Sequence, residues 1–162
     1  MKHRNELGEL YQKHFKTGLG VEVGVQYGYF SQEILKNWRG ELKCVDSYEG
    51  YEPVYKIAIE NLGVDRIIRK KSVDASKDFK NNSLDFVFID AGHTYTEVKE
   101  DIEAWFPKVR NGGIVSGHDY VKYTNFGVIE AVDEFVKDKY DLQLTDEEWW
   151  EGYNFRSWFF IK

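Results

Sequence analysis

The 162-residue sequence holds a single cysteine, Cys44, which excludes an intrachain disulfide framework and a zinc site built on cysteines. It lies in an apolar run and reads as a buried, inert thiol. There are two prolines, Pro53 and Pro107, and neither marks a linker between domains. No run of about 18 apolar residues occurs, so no transmembrane helix is expected. The opening residues, MKHRNELGELYQKHF, are charged and lack the apolar stretch of a secretory signal, so a cytoplasmic location is expected. No block of like charge forms an interaction tail. The formal net charge is −6, which argues against binding to nucleic-acid phosphates. Neither nucleic acid nor a membrane is an expected partner.

What the chain does have is aromatic side chains: 11 Phe, 11 Tyr and 5 Trp. Residues of this size need a core or a ligand cleft to cover them. The length suits one domain spanning 1–162, with an N-terminal helix over 1–17 and a sheet-forming region over 18–162. Leu7, Leu10, Tyr11, His14 and Phe15 fall on one face of a 3.6-residue period. A strand is expected over Val21–Val25, followed by a glycine turn and a helix from Ser31 to Trp38, with Ser31 as its N-cap. Leu42–Val45 reads as a strand ending at Asp46, and Glu52–Leu62 as a helix with Pro53 in its first turn. Further strands are expected at Ile67–Ile68, at Leu84–Ile89 and after the turn Gly112-Gly113. Thr94 and Glu97 form a capping box ahead of the apolar helix positions Val98, Ile102, Trp105 and Phe106. Val128, Val132, Phe135 and Val136 mark a last helix, and Leu142–Leu144 and Arg156–Ile161 two late strands.

Strands alternating with helices, several of them continuously apolar, imply a Rossmann-like α/β fold: a doubly wound, mostly parallel sheet covered on both faces. In such sheets ligands bind beyond the carboxyl ends of the strands. Those ends carry Gly24, Asp46, Asp90 and His118-Asp119, so these residues should converge on one rim.

The first turn, Glu22-Val23-Gly24-Val25-Gln26-Tyr27-Gly28, fails the dinucleotide fingerprint, because Gln26 occupies the position that needs the middle glycine. No Gly-Lys-Ser/Thr follows, so it is not a P-loop either. What remains is a tight turn that brings backbone close to a ligand without a pyrophosphate. Glu22 is a candidate acceptor for a cationic amine. Asp46, 22 positions after Gly24, is placed to accept hydrogen bonds from ribose hydroxyls.

The segments E-V-G-V-x-x-G-x-F-S, V-D-S-Y, D-F-V-F-I-D-A-G-H-T-Y and G-G-I-V-S-G-H-D-Y together resemble class I S-adenosylmethionine-dependent methyltransferases. The resemblance is to the small-molecule branch containing the macrocin O-methyltransferase-like sugar enzymes, and it runs from about Gly18 to Val136. It implies a seven-stranded sheet with one antiparallel strand, here Arg156–Ile161, and S-adenosylmethionine as cofactor. Residue by residue, it places Glu22 and Gly24 at the methionine part of the cofactor, with Gly28 and Ser31 in the same loop. Asp46 and the adjacent Ser47 take the ribose, Ser72 and Val73 flank the adenine, and Asp90 lies beside the methyl-transfer centre.

Asp90, His93, His118 and Asp119 form the candidate chemical centre. An acceptor hydroxyl is a weak nucleophile until its proton is removed or a cation lowers its pKa. Two carboxylates and an imidazole suit a hard divalent cation, Mg²⁺ by default. In relatives an acid after the fourth strand and a pair of residues after the fifth hold such an ion; Asp90, His118 and Asp119 match those positions. His118 departs from the acid or amide found there in relatives. His93 and His118 are the candidate bases, with Asp90 beside them. The expected activity is methyl transfer to an oxygen of a small molecule, with a sugar as one acceptor class. Alternatives are a nicotinamide-dependent oxidoreductase and a cofactor-binding module without turnover. The shortness of the chain points to a site completed by a partner or by a homodimer.

Overall fold

The computed structural model describes residues 1–146 and 149–162. Among the described residues, six α-helices and nine strands follow one another as α1 (Leu7–Phe15), β1 (Leu19–Val23), α2 (Tyr29–Asn37), β2 (Glu41–Asp46), α3 (Glu52–Leu62), β3 (Ile67–Arg69), α4 (Ser72–Ser76), β4 (Leu84–Ile89), α5 (Tyr95–Trp105), β5 (Val109–Tyr120), α6 (Val128–Val136), β6 (Gln143–Leu144), β7 (Trp149–Trp150), β8 (Tyr153–Asn154) and β9 (Arg156–Ile161). Seven strands make one sheet in the order β3-β2-β1-β4-β5-β9-β6, and β7 and β8 form a separate hairpin. The pairs among β1 to β5 are parallel. β9 runs antiparallel to both neighbours.

The pleat divides the core into two layers. In β4, Val87 and Ile89 face α5 and α6, where they pack with Val98, Ile102, Trp105 and Val132. Phe86 and Phe88 face α1 and α2 and pack with Leu7, Tyr11, Ile34 and Trp38. Burial on both faces is why LDFVFI reads as an unbroken apolar run. Cys44 lies buried in the second layer, and burial pushes its thiol far above the usual range. No helix among the described residues is long and apolar enough to cross a membrane.

The strand order places the site. The chain moves outward from β1 through β2 to β3, then returns to β4 on the other side of β1. β1 and β4 therefore flank the switch point, the crevice where open α/β sheets bind ligands. The Gly24 N–H donates to Val45 O at 2.9 Å and the Asp90 N–H to Val23 O at 2.7 Å, which ties the three strand ends together. Gly24 has φ of 86°, and a Cβ there would stand 1.9 Å from the Asp90 carbonyl oxygen. Only glycine lets β1 end this close to β4.

Four local expectations differ from the structure. β1 ends at Val23, before the turn, and α2 begins at Tyr29 with left-handed Gly28 as its N-cap. Ser31 is therefore not the cap; it lies inside α2, fully buried. Gly112 and Gly113 lie within β5, at an irregularity in its register with β4, instead of preceding it. The short helix α4 and the β7–β8 hairpin were not expected: neither is long enough to show a period.

Candidate active site at the strand ends

The carboxyl ends of β1, β2, β4 and β5 open into a cleft of about 910 Å³, a volume suited to a ligand of cofactor size. Glu22, Gly24, Asp46, Ser47, Ser72, Val73, Asp90, His93, His118 and Asp119 all line it. Gly28 and Ser31 do not line it but support it from behind. The Ser31 hydroxyl donates to the Glu22 carboxylate, and Gly28 turns the chain into α2.

Asp46 organises the glycine loop. Its Oδ2 accepts from the N–H groups of Val25 at 2.9 Å and Gln26 at 3.0 Å, and its Oδ1 from that of Tyr48 at 3.0 Å. Gln26 and Tyr48 both have positive φ, 47° and 49°, a conformation that needs outside support in non-glycine residues. One carboxylate thus shapes both walls at this end of the cleft.

Glu22 is 1% exposed. Burial raises its pKa to about 8; the Ser31 hydrogen bond opposes the rise and the negative charge of Asp90 adds to it. An acid held neutral by burial destabilises the fold where the unfolded chain ionises and the folded one does not. That loss grows from about pH 4.5 to about 8. Glu22→Gln is expected to be more stable than wild type at pH 9, with the gain shrinking as pH falls toward 4.5. Denaturant titrations at several pH values test this, and a gain independent of pH would contradict it.

The acid–histidine cluster closes around Asp119. Its Oδ2 lies 2.6 Å from His93 Nε2 and its Oδ1 2.9 Å from His118 Nδ1. Burial alone would push the Asp119 carboxyl up, but the hydrogen bonds from His118 and His93 outweigh it and hold the group well below the usual carboxylate range. Asp90 Oδ1 stands 3.8 Å from His93 Nε2. Donation to the Asp119 carboxylate, with the Asp90 carboxylate beside it, outweighs burial and raises His93 to about 10. His93 is therefore an imidazolium at neutral pH. Its ring stacks on Phe126, with centroids 4.5 Å apart and 6° between planes. Asp119 itself has φ of 58°, which aspartate tolerates better than most residues. Gly92, before His93, has no room for a side chain: a Cβ there would meet Glu97 Cβ at 2.7 Å. Glu97 is fixed by the capping box, its carboxylate accepting from the Thr94 N–H at 3.1 Å.

Donor atoms of Asp90, His93 and Asp119 lie within 4.8 Å of one another. Two oxygens and one nitrogen are a donor set that fits a divalent cation. The set expected from the sequence, Asp90, His118 and Asp119, also lies together: His118 Nδ1 is 2.9 Å from Asp119 Oδ1 and 4.0 Å from Asp90 Oδ1. Spacing along the chain could not separate the two histidines.

Asp101 and Arg4 are among the lining residues that escaped the sequence reading. Asp101 sits between Val98 and Ile102 on the buried face of α5, and an acid at a core position of a helix is the signal that could have found it. It accepts from the Ser72 hydroxyl, which in turn accepts from Trp105 Nε1 at 2.9 Å. Burial raises Asp101 to about 6, against the Ser72 hydrogen bond. Arg4 reaches in from the N-terminal segment, with Nη1 3.3 Å from Asp90 Oδ2. No local pattern announces it.

The sequence profile of the family described as a methyltransferase domain matches residues 19–120. The chain belongs to this methyltransferase family. The matched region carries every strand end that lines the cleft. An uncharacterized protein of Sinorhizobium fredii is 28% identical over 127 residues, which cover 67% of this chain and 14% of that protein. The methyltransferase chain thus matches a small part of a much longer relative. Among solved structures, an O-methyltransferase from Bacillus cereus in complex with S-adenosylhomocysteine superposes with a TM-score of 0.73 at 18% identity, covering 98% of this chain and 80% of that one. An rRNA methylase from Streptococcus thermophilus gives 0.71 at 11% identity, covering 96% and 93%. These likenesses establish the seven-stranded methyltransferase fold.

Proposed function

We propose that this methyltransferase uses S-adenosylmethionine to methylate an oxygen of a small molecule, with a sugar hydroxyl as the acceptor class. The observation that carries the reading is the meeting of two clefts at one acid–histidine cluster. The larger is the strand-end cleft, whose Asp46, Ser72 and Glu22 match the ribose, adenine and methionine positions of the resemblance. The smaller, about 590 Å³, is lined by His3, Arg4, Asn5, His118, Trp149, Trp150 and Phe155. His118 and Arg4 line both. The cofactor supplies an electrophilic methyl on a sulfonium, and the acceptor needs only a positioned, deprotonated oxygen. The Bacillus cereus O-methyltransferase, bound to S-adenosylhomocysteine, supports the choice of cofactor and of oxygen as acceptor.

In this reading His118 is the base. With Asp119 ionised, the His118 Nδ1–H donates to Oδ1 of Asp119, so in the neutral ring the lone pair resides on Nε2. His93, already an imidazolium, keeps Asp119 and Asp90 charged and in place. A divalent cation held by Asp90, His93 and Asp119 would take the place of the His93 proton, since a metal-bound imidazole is neutral, and would lower the pKa of the acceptor hydroxyl. In the smaller cleft, Trp149 and Trp150 offer faces to a ring, while His3 and Asn5 offer polar atoms to its hydroxyls.

The test is a methyl-transfer screen by mass spectrometry with glycosides, catechols and amines as acceptors. Transfer to a glycoside hydroxyl is expected. Trp150→Ala should raise the acceptor KM by about tenfold, consistent with loss of a stacking contact and its buried area, and leave kcat little changed. Transfer to amines only would contradict the assignment to oxygen.

A further inference from the structure

A methionine-type ligand end is a zwitterion, so its site needs opposite charges side by side. The acidic half is present in excess at the β1 and β4 ends, where Glu22 and Asp90 line the cleft. A carboxylate placed there without a cation would be repelled by Asp90, and by Glu22 once the ligand ammonium draws off its proton. The cations lining the cleft, besides the two histidines, are Arg4, Lys70 and Lys71 among the described residues. Lys70 pairs with Asp78 at 2.6 Å and Lys71 with Glu49 at 3.1 Å, and both precede Ser72 and Val73 at the other end. Arg4 is the cation at the acidic end. Its guanidinium lies 3.3 Å from Asp90 and 5.0 Å over the ring of Phe30, and its charge acts on Glu22.

We propose that Arg4 binds the α-carboxylate of the cofactor's methionine end. The assignment rests on the S-adenosylmethionine reading and adds a binding residue that lies outside the matched region 19–120. A guanidinium carries five N–H donors in a planar fork, so one group serves Asp90 and a second carboxylate together. The Phe30 face fixes the plane of the fork. The segment is folded where Arg4 needs it: the Asn5 N–H donates to His3 Nδ1 at 3.2 Å and the Glu6 N–H to His3 O at 3.0 Å. Arg4 also stands where the two clefts meet, so the N-terminal segment covers the ligand end nearest the acceptor.

Calorimetric titration of wild type, Arg4→Gln and Arg4→Lys with S-adenosylhomocysteine and with its decarboxylated analogue tests the assignment. Wild type should prefer the carboxylated ligand by about tenfold to hundredfold, the range for a charge-assisted hydrogen bond. Arg4→Gln should lose that preference while binding the analogue as wild type does, which also shows that the variant is folded. Arg4→Lys, with a point charge in place of the fork, should keep part of it. Equal binding of both ligands by wild type, or an undiminished preference in Arg4→Gln, would overturn the assignment and leave the cofactor reading standing. Binding of neither ligand by wild type would overturn the cofactor reading and the assignment with it.

Discussion

Asp119→Asn is expected to lower turnover by about a hundredfold to ten-thousandfold, the span of general acid–base catalysis, while S-adenosylhomocysteine affinity stays at the wild-type level. Asp119 accepts from both His93 and His118, one imidazole on each oxygen. An asparagine has one accepting oxygen and one donating nitrogen, so it cannot satisfy two N–H donors at once. One ring must turn away or change tautomer. The fold should tolerate the change, since asparagine also accepts the left-handed backbone at this position. Steady-state kinetics with an identified acceptor and parallel calorimetry check both halves. Full activity would show that the cluster does not perform the chemistry, and lost cofactor binding would mean that Asp119 belongs to the cofactor's own contacts.

Asp46→Ala should weaken S-adenosylhomocysteine by about a hundredfold or more. The carboxylate holds three backbone N–H groups of the glycine loop, and each hydrogen bond to a charged group is worth about 1.5–3 kcal/mol. Losing two of them already accounts for a hundredfold. The same carboxylate is the expected acceptor for the ribose hydroxyls, so the loss adds to the loop's own disorder. Asp46→Asn keeps one accepting oxygen and should fall between the two. Calorimetry of the three proteins tests the order, and an alanine variant that binds as wild type would remove Asp46 from the site.

Much of this site could be read before the fold was known because its residues sit where strands end, and strand ends are local features. LDFVFI followed by Asp90 is readable because both faces of β4 are buried. Asp46 is readable from its distance after Gly24. The capping box at Thr94 is a four-residue signal, and it is present with both of its hydrogen bonds. The features that escaped depend on contacts distant in the chain. Arg4 meets Asp90 across 86 positions, and nothing around Arg4 distinguishes it from a solvated charge. The grouping of His93 with Asp90 and Asp119 depends on the turn of the backbone at Asp119, where the positive φ sends the carboxylate between two rings. The Trp149 hairpin consists of two-residue strands, too short for any periodicity. Ser31 shows the opposite failure: a serine at a plausible helix start resembles a cap, but its hydroxyl is committed to a buried acid.

Binding of S-adenosylmethionine in the strand-end cleft is tested by calorimetric titration of the wild-type protein with S-adenosylhomocysteine, with NAD as a parallel ligand. One-site binding of S-adenosylhomocysteine and none of NAD is expected. Below pH 8 the ligand ammonium should pull a proton from Glu22, seen as a binding enthalpy that changes with the ionisation enthalpy of the buffer. Binding of NAD in place of S-adenosylhomocysteine, or of neither ligand, would contradict the cofactor reading.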